Sequence, residues 1–383
     1  MKHMKKRIIA CLLAGLMSVS SLSVISPSVS AAGLGYWPEP LPMGNQWYYQ
    51  NESLQPYGSC FQIDELKNWS PDNDPDARYN RGSIELRDRW MGPNVNPLAS
   101  RDAKVMPLAM SNARASEAAS QGGDGDFVYA FNNFQYVDTY NFWGGSSGEG
   151  PIAIPSPEHI DSAHRNGVPA TGTIFIPWGD YAYGNRFVQE MVEKNPDGTY
   201  PAADKLIEIA QYYGFDGYIF NAESGTGVPG FKDFLAYIQR KKPDNFTISW
   251  YNGSGTLNTG SIQNWMQDGE ERVTDEWWLD MSGNGNVDGT IAAAQEMGVD
   301  PWNIHSTWEY WPMSGMSGTK GGNYQTRLDS NGFLKISLGI LAPTVTLTQA
   351  KNSDDFINVQ DQKLWVGPTF DPSSTYRPQS EFC

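Results

Sequence analysis

The sequence predicts an α/β fold, a (β/α)8 TIM barrel with an irregular N-terminal extension. Three observations carry this. Eight short apolar runs recur along residues 103–342. Helix-period stretches or long loops separate them, over a span that suits eight strand–helix units of a barrel. No glycine-rich phosphate turn follows an early run, whereas a doubly wound sheet would more often show one.

In chain order, residues 1–31 read as a signal peptide. Lys2, Lys5, Lys6 and Arg7 form a basic start, the next ten residues are an apolar run too short to span a bilayer comfortably, and Val29-Ser30-Ala31 offers small residues for cleavage. No later segment has 18 uninterrupted apolar residues. The expectation is a soluble mature protein, secreted (extracellular) or associated with the cell surface, with no membrane contact after cleavage. Residues 32–100 are rich in Pro, Gly, Asn and Trp without periodicity, and read as an extension packing on the barrel. The catalytic barrel is expected over 101–365. Its strands are expected at 103–110, 136–143, 169–176, 217–223, 246–252, 276–282, 302–310 and 336–342. Ala203, Leu206, Ala210 and Tyr213 share one helix face, as do Phe231, Phe234, Leu235 and Ile238. Residues 366–383 read as a linker or a truncated C-terminal tail.

Composition narrows the chemistry. Lys and Arg total 27 against 43 Asp and Glu, a formal charge of −16; without residues 1–31 the balance is 23 against 43, or −20. So acidic a surface repels polyphosphates, which argues against nucleic acid or an anionic membrane as a partner. Cys11 lies in the leader, leaving Cys60 and Cys383, so a disulfide-stapled scaffold and a cysteine-rich zinc site are excluded. Three histidines remain beyond the leader, His159, His164 and His305. A His-based triad or a multi-His metal site is therefore not expected, and no metal or cofactor is called for. Fourteen Trp and 19 Tyr supply rings for a large core, and also rings on which a sugar could stack.

The most informative stretch runs from Tyr213 to Glu223. Alternate strand residues face the same way, so Gly217, Ile219, Asn221 and Glu223 should point into the barrel, the last two at the C-terminal end where barrel active sites form. An inward carboxylate there is costly unless hydrogen-bonded or protonated, and partial burial would raise its pKa as a general acid requires. It could equally be a rim carboxylate that ties down a loop.

This segment resembles the Asn-x-Glu motif of glycoside hydrolase family 85, the endo-β-N-acetylglucosaminidases. Residues 68–83 (NWSPDNDPDARYNRGS) look like the family's entry segment; 134–140 (FQYVDTY) and 159–178 (HIDSAHRNGVPATGTIFIPW) look like its second strand, the next helix and its third strand. Ile248-Ser249-Trp250-Tyr251 looks like its fifth strand, and Leu341-Ala342-Pro343 like the end of its eighth. The landmarks keep family order from about residue 60 to 368. The resemblance implies hydrolysis of the GlcNAcβ1,4GlcNAc bond in the chitobiose core of N-linked glycans by substrate-assisted, retaining catalysis, and leaves transglycosylation open. It implies Glu223 as acid/base, Asn221 as the group orienting the 2-acetamido group, and Tyr251 as a support for either.

Trp178 at the end of the third strand is a candidate wall for the bound GlcNAc, and Trp265, after the fifth, stands where the family has an aromatic that contacts the acceptor sugar. Trp278 and Trp308 on the sixth and seventh are candidate stacking rings, and these two could equally be core. Two features depart from the family: residues 279–283 lack its Asn-Tyr-Asn-Trp look, and 304–310 are unlike its seventh strand. Two alternatives stand beside this reading. A family 18 chitinase would carry a DGxDxDxE strand, but this chain has Ile219 and Asn221 where that motif needs Asp. A glycan-binding barrel without activity would also suit the aromatic content.

Overall fold

The computed structural model describes residues 60–374, apart from 75–76, 97–98, 100, 110–129, 144–150, 178–180, 281–285, 310–323, 345, 348–349 and 368. Eight parallel strands close into a barrel: β1 (Val105–Ala109), β2 (Tyr140–Phe142), β3 (Ala170–Ile176), β4 (Gly217–Ala222), β5 (Thr247–Tyr251), β6 (Glu276–Leu279), β7 (Ile304–Glu309) and β8 (Ser337–Leu341). Each pairs with its neighbours in sequence, and β8 pairs with β1 to complete the ring. All eight expected runs became strands, trimmed at their ends. Two expected starts are 3₁₀ turns instead: Phe134–Tyr136 precedes β2, and Pro301–Asn303, capped by Asp300, precedes β7.

Sequence explains the outer layer. The helix Pro201–Tyr213 opens with proline at its first position and closes on Gly214 at φ 85, conditions that start and stop a helix. Ala203, Leu206, Ala210 and Tyr213 are all buried against the barrel. Phe231, Phe234, Leu235 and Ile238 are buried too, on the helix Phe231–Lys241 between β4 and β5. Gly217 holds φ +126, and a Cβ there would meet the Thr247 carbonyl oxygen at 1.9 Å, so β4 can begin this close to β5 only with glycine.

Two short strands lie outside the expected pattern. Ile152–Ala153 runs antiparallel to the upper half of β3, and Cys60–Phe61 pairs antiparallel with it. Residues 82–89 then pass along the barrel's N-terminal end. Gly82 donates to the Tyr213 carbonyl at 2.8 Å, and the backbone N–H groups of Ser83 and Ile84 donate to Asp161. His164 bridges this segment to the barrel: Nδ1 lies 2.7 Å from the Ile84 carbonyl and Nε2 2.7 Å from Asp216 Oδ2. Both partners accept, so the imidazole donates from both nitrogens; burial opposes its charge, but Asp216 and the Ile84 carbonyl outweigh it and raise its pKa.

The residues of the N-terminal leader lie outside the described ones. Among the described residues, no helix is long and apolar enough to cross a membrane, and no group of three or more His, Cys, Asp or Glu could hold a metal ion.

Candidate active site

The alternation of β-strands sorts the barrel's side chains into an interior row and an outer row. In the interior, Met106, Leu108, Ile219 and Trp278 form a buried cluster, with Trp143, Tyr251 and Leu341 packed against it. Trp278 is its largest member. Its indole Nε1 donates to Met106 Sδ at 3.1 Å, and Gly339 on β8 leaves the space its ring occupies, since a Cβ there would meet ring carbons from 2.7 Å. This cluster fills the middle of the barrel.

Below it, toward the N-terminal end, is a buried polar knot. Glu276 accepts from Ser249 Oγ at 3.1 Å and lies 3.4 Å from both Lys104 Nζ and His305 Nε2. Burial works to raise its carboxyl, but His305, Lys104 and Ser249 together hold it at about 2. Glu276, Ser249 and His305 are buried while Lys104, just before β1, reaches in from a partly exposed position, and together they tie β5, β6 and β7 to the start of β1.

Above the cluster, at the C-terminal end, four polar side chains converge from three adjacent strands. Asn221 ends the interior row of β4, and Glu223 follows it on the same side. Backbone pairing carries on past the strand to hold Glu223, whose N–H donates to the Ile176 carbonyl at 2.9 Å. The next residue, Ser224, fastens the loop by donating to the Pro177 carbonyl at 2.7 Å. Asn221 Nδ2 donates to Glu223 Oε1 at 3.1 Å. Its Oδ1 is buried and has no hydrogen-bond partner. Tyr251, directly in register with Asn221 on β5, donates its hydroxyl to Asp280 Oδ2 at 2.7 Å, just past the end of β6.

The electrostatics single out Glu223. Burial pushes its carboxyl up to about 7, the Asn221 amide lowers it, and the charge of Asp280 raises it further. A carboxyl poised there is available as an acid and, after giving up its proton, as a base.

The structure therefore brings Glu223, Asn221 and Tyr251 together and adds Asp280. The alternation on β6, Glu276 then Trp278 then Asp280, is the sequence signal that could have placed Asp280 beside them. It does not bring together the three candidate tryptophans that lie among the described residues. Trp178 lies outside the described residues. Trp278 faces the interior but is 2% exposed and fills the barrel under the site. Trp308 points outward and packs on Leu338, Ile340 and Leu364. Trp265 ends the helix Thr259–Trp265 and stacks on Trp250 at 4.4 Å, with Phe231 edge-on to it. Because Trp250 is on the outer row of β5, this pair belongs to the strand–helix layer and not to the pocket rim.

Comparison with known proteins bears on the family and the fold. The family model described as glycosyl hydrolase family 85 matches residues 111–382. The zebrafish protein named cytosolic endo-beta-N-acetylglucosaminidase is 26% identical over 238 residues, covering 60% of this chain and 31% of that protein. The human protein of the same name is 24% identical over 227 residues, covering 57% and 28%. Among solved structures, the glycoside hydrolase domain of Endo-D from Streptococcus pneumoniae R6 superposes with a TM-score of 0.67 at 29% identity, over 82% of this chain and 51% of that one. The chain thus spans under a third of these two curated relatives and about half of the Endo-D chain. One expectation is overturned here. The leader-like residues 1–31 suggested a secreted or cell-surface protein, but these relatives are named cytosolic, which goes against that expectation.

Proposed function

The chain belongs to glycosyl hydrolase family 85, and on that premise we propose that it is an endo-β-N-acetylglucosaminidase acting on N-linked glycans. It would cleave the GlcNAcβ1,4GlcNAc bond of the chitobiose core by a substrate-assisted mechanism. The observation that carries the reading is the asymmetry of Asn221: one end of its amide donates to Glu223, while the other is a buried acceptor with no partner. A buried amide oxygen left unsatisfied costs about 1–3 kcal/mol. An acetamide N–H would satisfy it.

The proposed steps follow from these groups. Glu223, protonated because it is buried, gives its proton to the leaving glycosidic oxygen. The carbonyl oxygen of the substrate's 2-acetamido group attacks the anomeric carbon as that bond breaks. The acetamide nitrogen gains positive charge as the oxazolinium forms, so its N–H donates more strongly to Asn221 Oδ1. Glu223, now a carboxylate, takes a proton from water as the water opens the ring from the other face, restoring the configuration. A nucleophile carried by the substrate is already placed, an advantage worth up to roughly 7–11 kcal/mol in favourable cases. It also makes a second protein carboxylate at the anomeric carbon unnecessary, whereas ordinary retaining enzymes need two. Asn at 221 keeps a second charge away from Glu223, where Asp would raise that carboxyl further. An acceptor GlcNAc hydroxyl in place of water would give transglycosylation.

The test is mass spectrometry of a high-mannose glycoprotein after incubation with the protein. A single GlcNAc left on each processed asparagine supports the reading, provided Glu223→Gln leaves the glycan whole. Binding of intact glycan without cleavage would favour a glycan-binding barrel instead.

A further inference from the structure

We infer that Asp280 is a positioning residue for this reaction, holding the Tyr251 hydroxyl so that the phenol presents its oxygen lone pairs to whatever sugar the pocket takes. The inference rests on the reading of Glu223 and Asn221 above, and it concerns a residue in the stretch where this chain departs from the look of its family.

Three features build it. The Tyr251 hydroxyl donates to Asp280 Oδ2 at 2.7 Å, a charge-assisted hydrogen bond that commits the phenol's one proton. Asp280 is in turn fixed by its own backbone, whose N–H donates to the Ser254 carbonyl at 2.8 Å. Ser254 lies three residues after Tyr251, so donor and acceptor are clamped to the same short piece of chain. Finally, the Tyr251 ring is packed on the Met106–Leu108–Ile219–Trp278 cluster, which leaves the phenol little freedom. A phenol whose proton is given to a carboxylate can act toward a ligand only as an acceptor. Its oxygen is also more electron-rich than that of a free tyrosine, because hydrogen bonds in series polarise one another. Such an oxygen interacts better with a sugar carrying developing positive charge than with the neutral ground state, so the effect should appear in kcat.

The experiment is a double-mutant cycle on the full chain, with Asp280→Ala, Asp280→Asn, Tyr251→Phe and the Tyr251→Phe/Asp280→Ala double variant, using a chitobiose-core glycopeptide. Asp280→Ala is expected to lower kcat about tenfold or more, the scale of a lost hydrogen bond to a charged group, with KM within about twofold. Asp280→Asn keeps an oxygen that can accept from the phenol and should recover much of the loss. In the Tyr251→Phe background, removing Asp280 should change kcat little when measured near pH 5, where Glu223 holds its proton with or without the charge of Asp280. Losses that multiply in the double variant, or an Asn variant no better than Ala, would overturn the inference. A readout independent of turnover accompanies it: the 13Cζ resonance of labelled Tyr251 should move in Asp280→Asn, and an unmoved resonance also counts against the pairing. Glu223→Gln measured alongside separates the two claims. Retained activity there removes the acid assignment, while the Tyr251–Asp280 coupling is still decided by the cycle and the resonance.

Discussion

Asn221 and Glu223 sit two residues apart at the end of one strand, and the amide of the first donates to the carboxyl of the second at 3.1 Å. The bond fixes which way the amide faces: Nδ2 meets the acid, and Oδ1 is left as a buried acceptor with no partner. If Oδ1 is the acceptor for the acetamide N–H, Asn221→Ala should lose most hydrolysis of intact glycan, on the order of 10²–10³-fold in kcat, as removal of a preorganised polar group typically does. The same variant should still use a preformed glycan oxazoline, which has passed the impaired step, and transfer it to GlcNAc. Product yields by liquid chromatography from the two donors check this; equal impairment on both would contradict it.

The raised carboxyl of Glu223 gives a stability prediction with a definite sign. A carboxyl whose native pKa lies above its unfolded value binds its proton more tightly when folded, so its contribution is complete below about 4.5 and disappears as pH rises through about 7. Glu223→Gln cannot ionise. It should melt a few degrees above wild type near pH 8, with the gap closing toward pH 4, as followed by circular dichroism. A gap that widens in acid would contradict the burial argument.

Gly339→Ala tests the packing under the site. Its Cβ would lie 2.7 Å from the Trp278 ring, whose indole Nε1 is tied to Met106 Sδ. Overpacking of this kind costs about 1–3 kcal/mol. Denaturant unfolding should show that loss, together with reduced activity because Tyr251 rests on the same cluster. A neutral result would mean that the ring can move aside.

Trp265→Ala should behave as a core truncation. The stack with Trp250 and Phe231 predicts a stability loss approaching ~3 kcal/mol. Whatever activity is lost should fall equally on donor and acceptor sides. A selective rise in the KM for acceptor GlcNAc at unchanged melting temperature would return this ring to the pocket.

The fold was legible because a barrel repeats one simple signal. Buried parallel strands are short apolar runs, and the two-residue alternation puts Asn221 and Glu223 on the inner row, whereas Tyr251 is marked only by the family resemblance of its strand. Where that signal is absent, the reading stops. The two-residue strands Cys60–Phe61 and Ile152–Ala153 have no periodicity to detect. The aromatic rings were legible as rings but not by direction: Trp308 is on the outer row of β7, and Trp265 is on a helix whose facing depends on tertiary packing. The pairing of Tyr251 with Asp280 joins positions 29 apart in sequence, on neighbouring strands of the barrel; alternation on β6 points Asp280 inward but does not name its partner.

The most direct test of the account compares cleavage of two chitobiose-core donors that differ only at the 2-position of the sugar whose glycosidic bond is broken, one carrying the acetamide and the other a free amine. With a single acid/base at Glu223 and the nucleophile supplied by the substrate, wild-type protein should cleave the acetylated donor and leave the amine essentially untouched. Glu223→Gln should cleave neither. Comparable rates on the two donors would mean that a protein carboxylate attacks the sugar, and the mechanism built on Asn221 and Glu223 would be wrong.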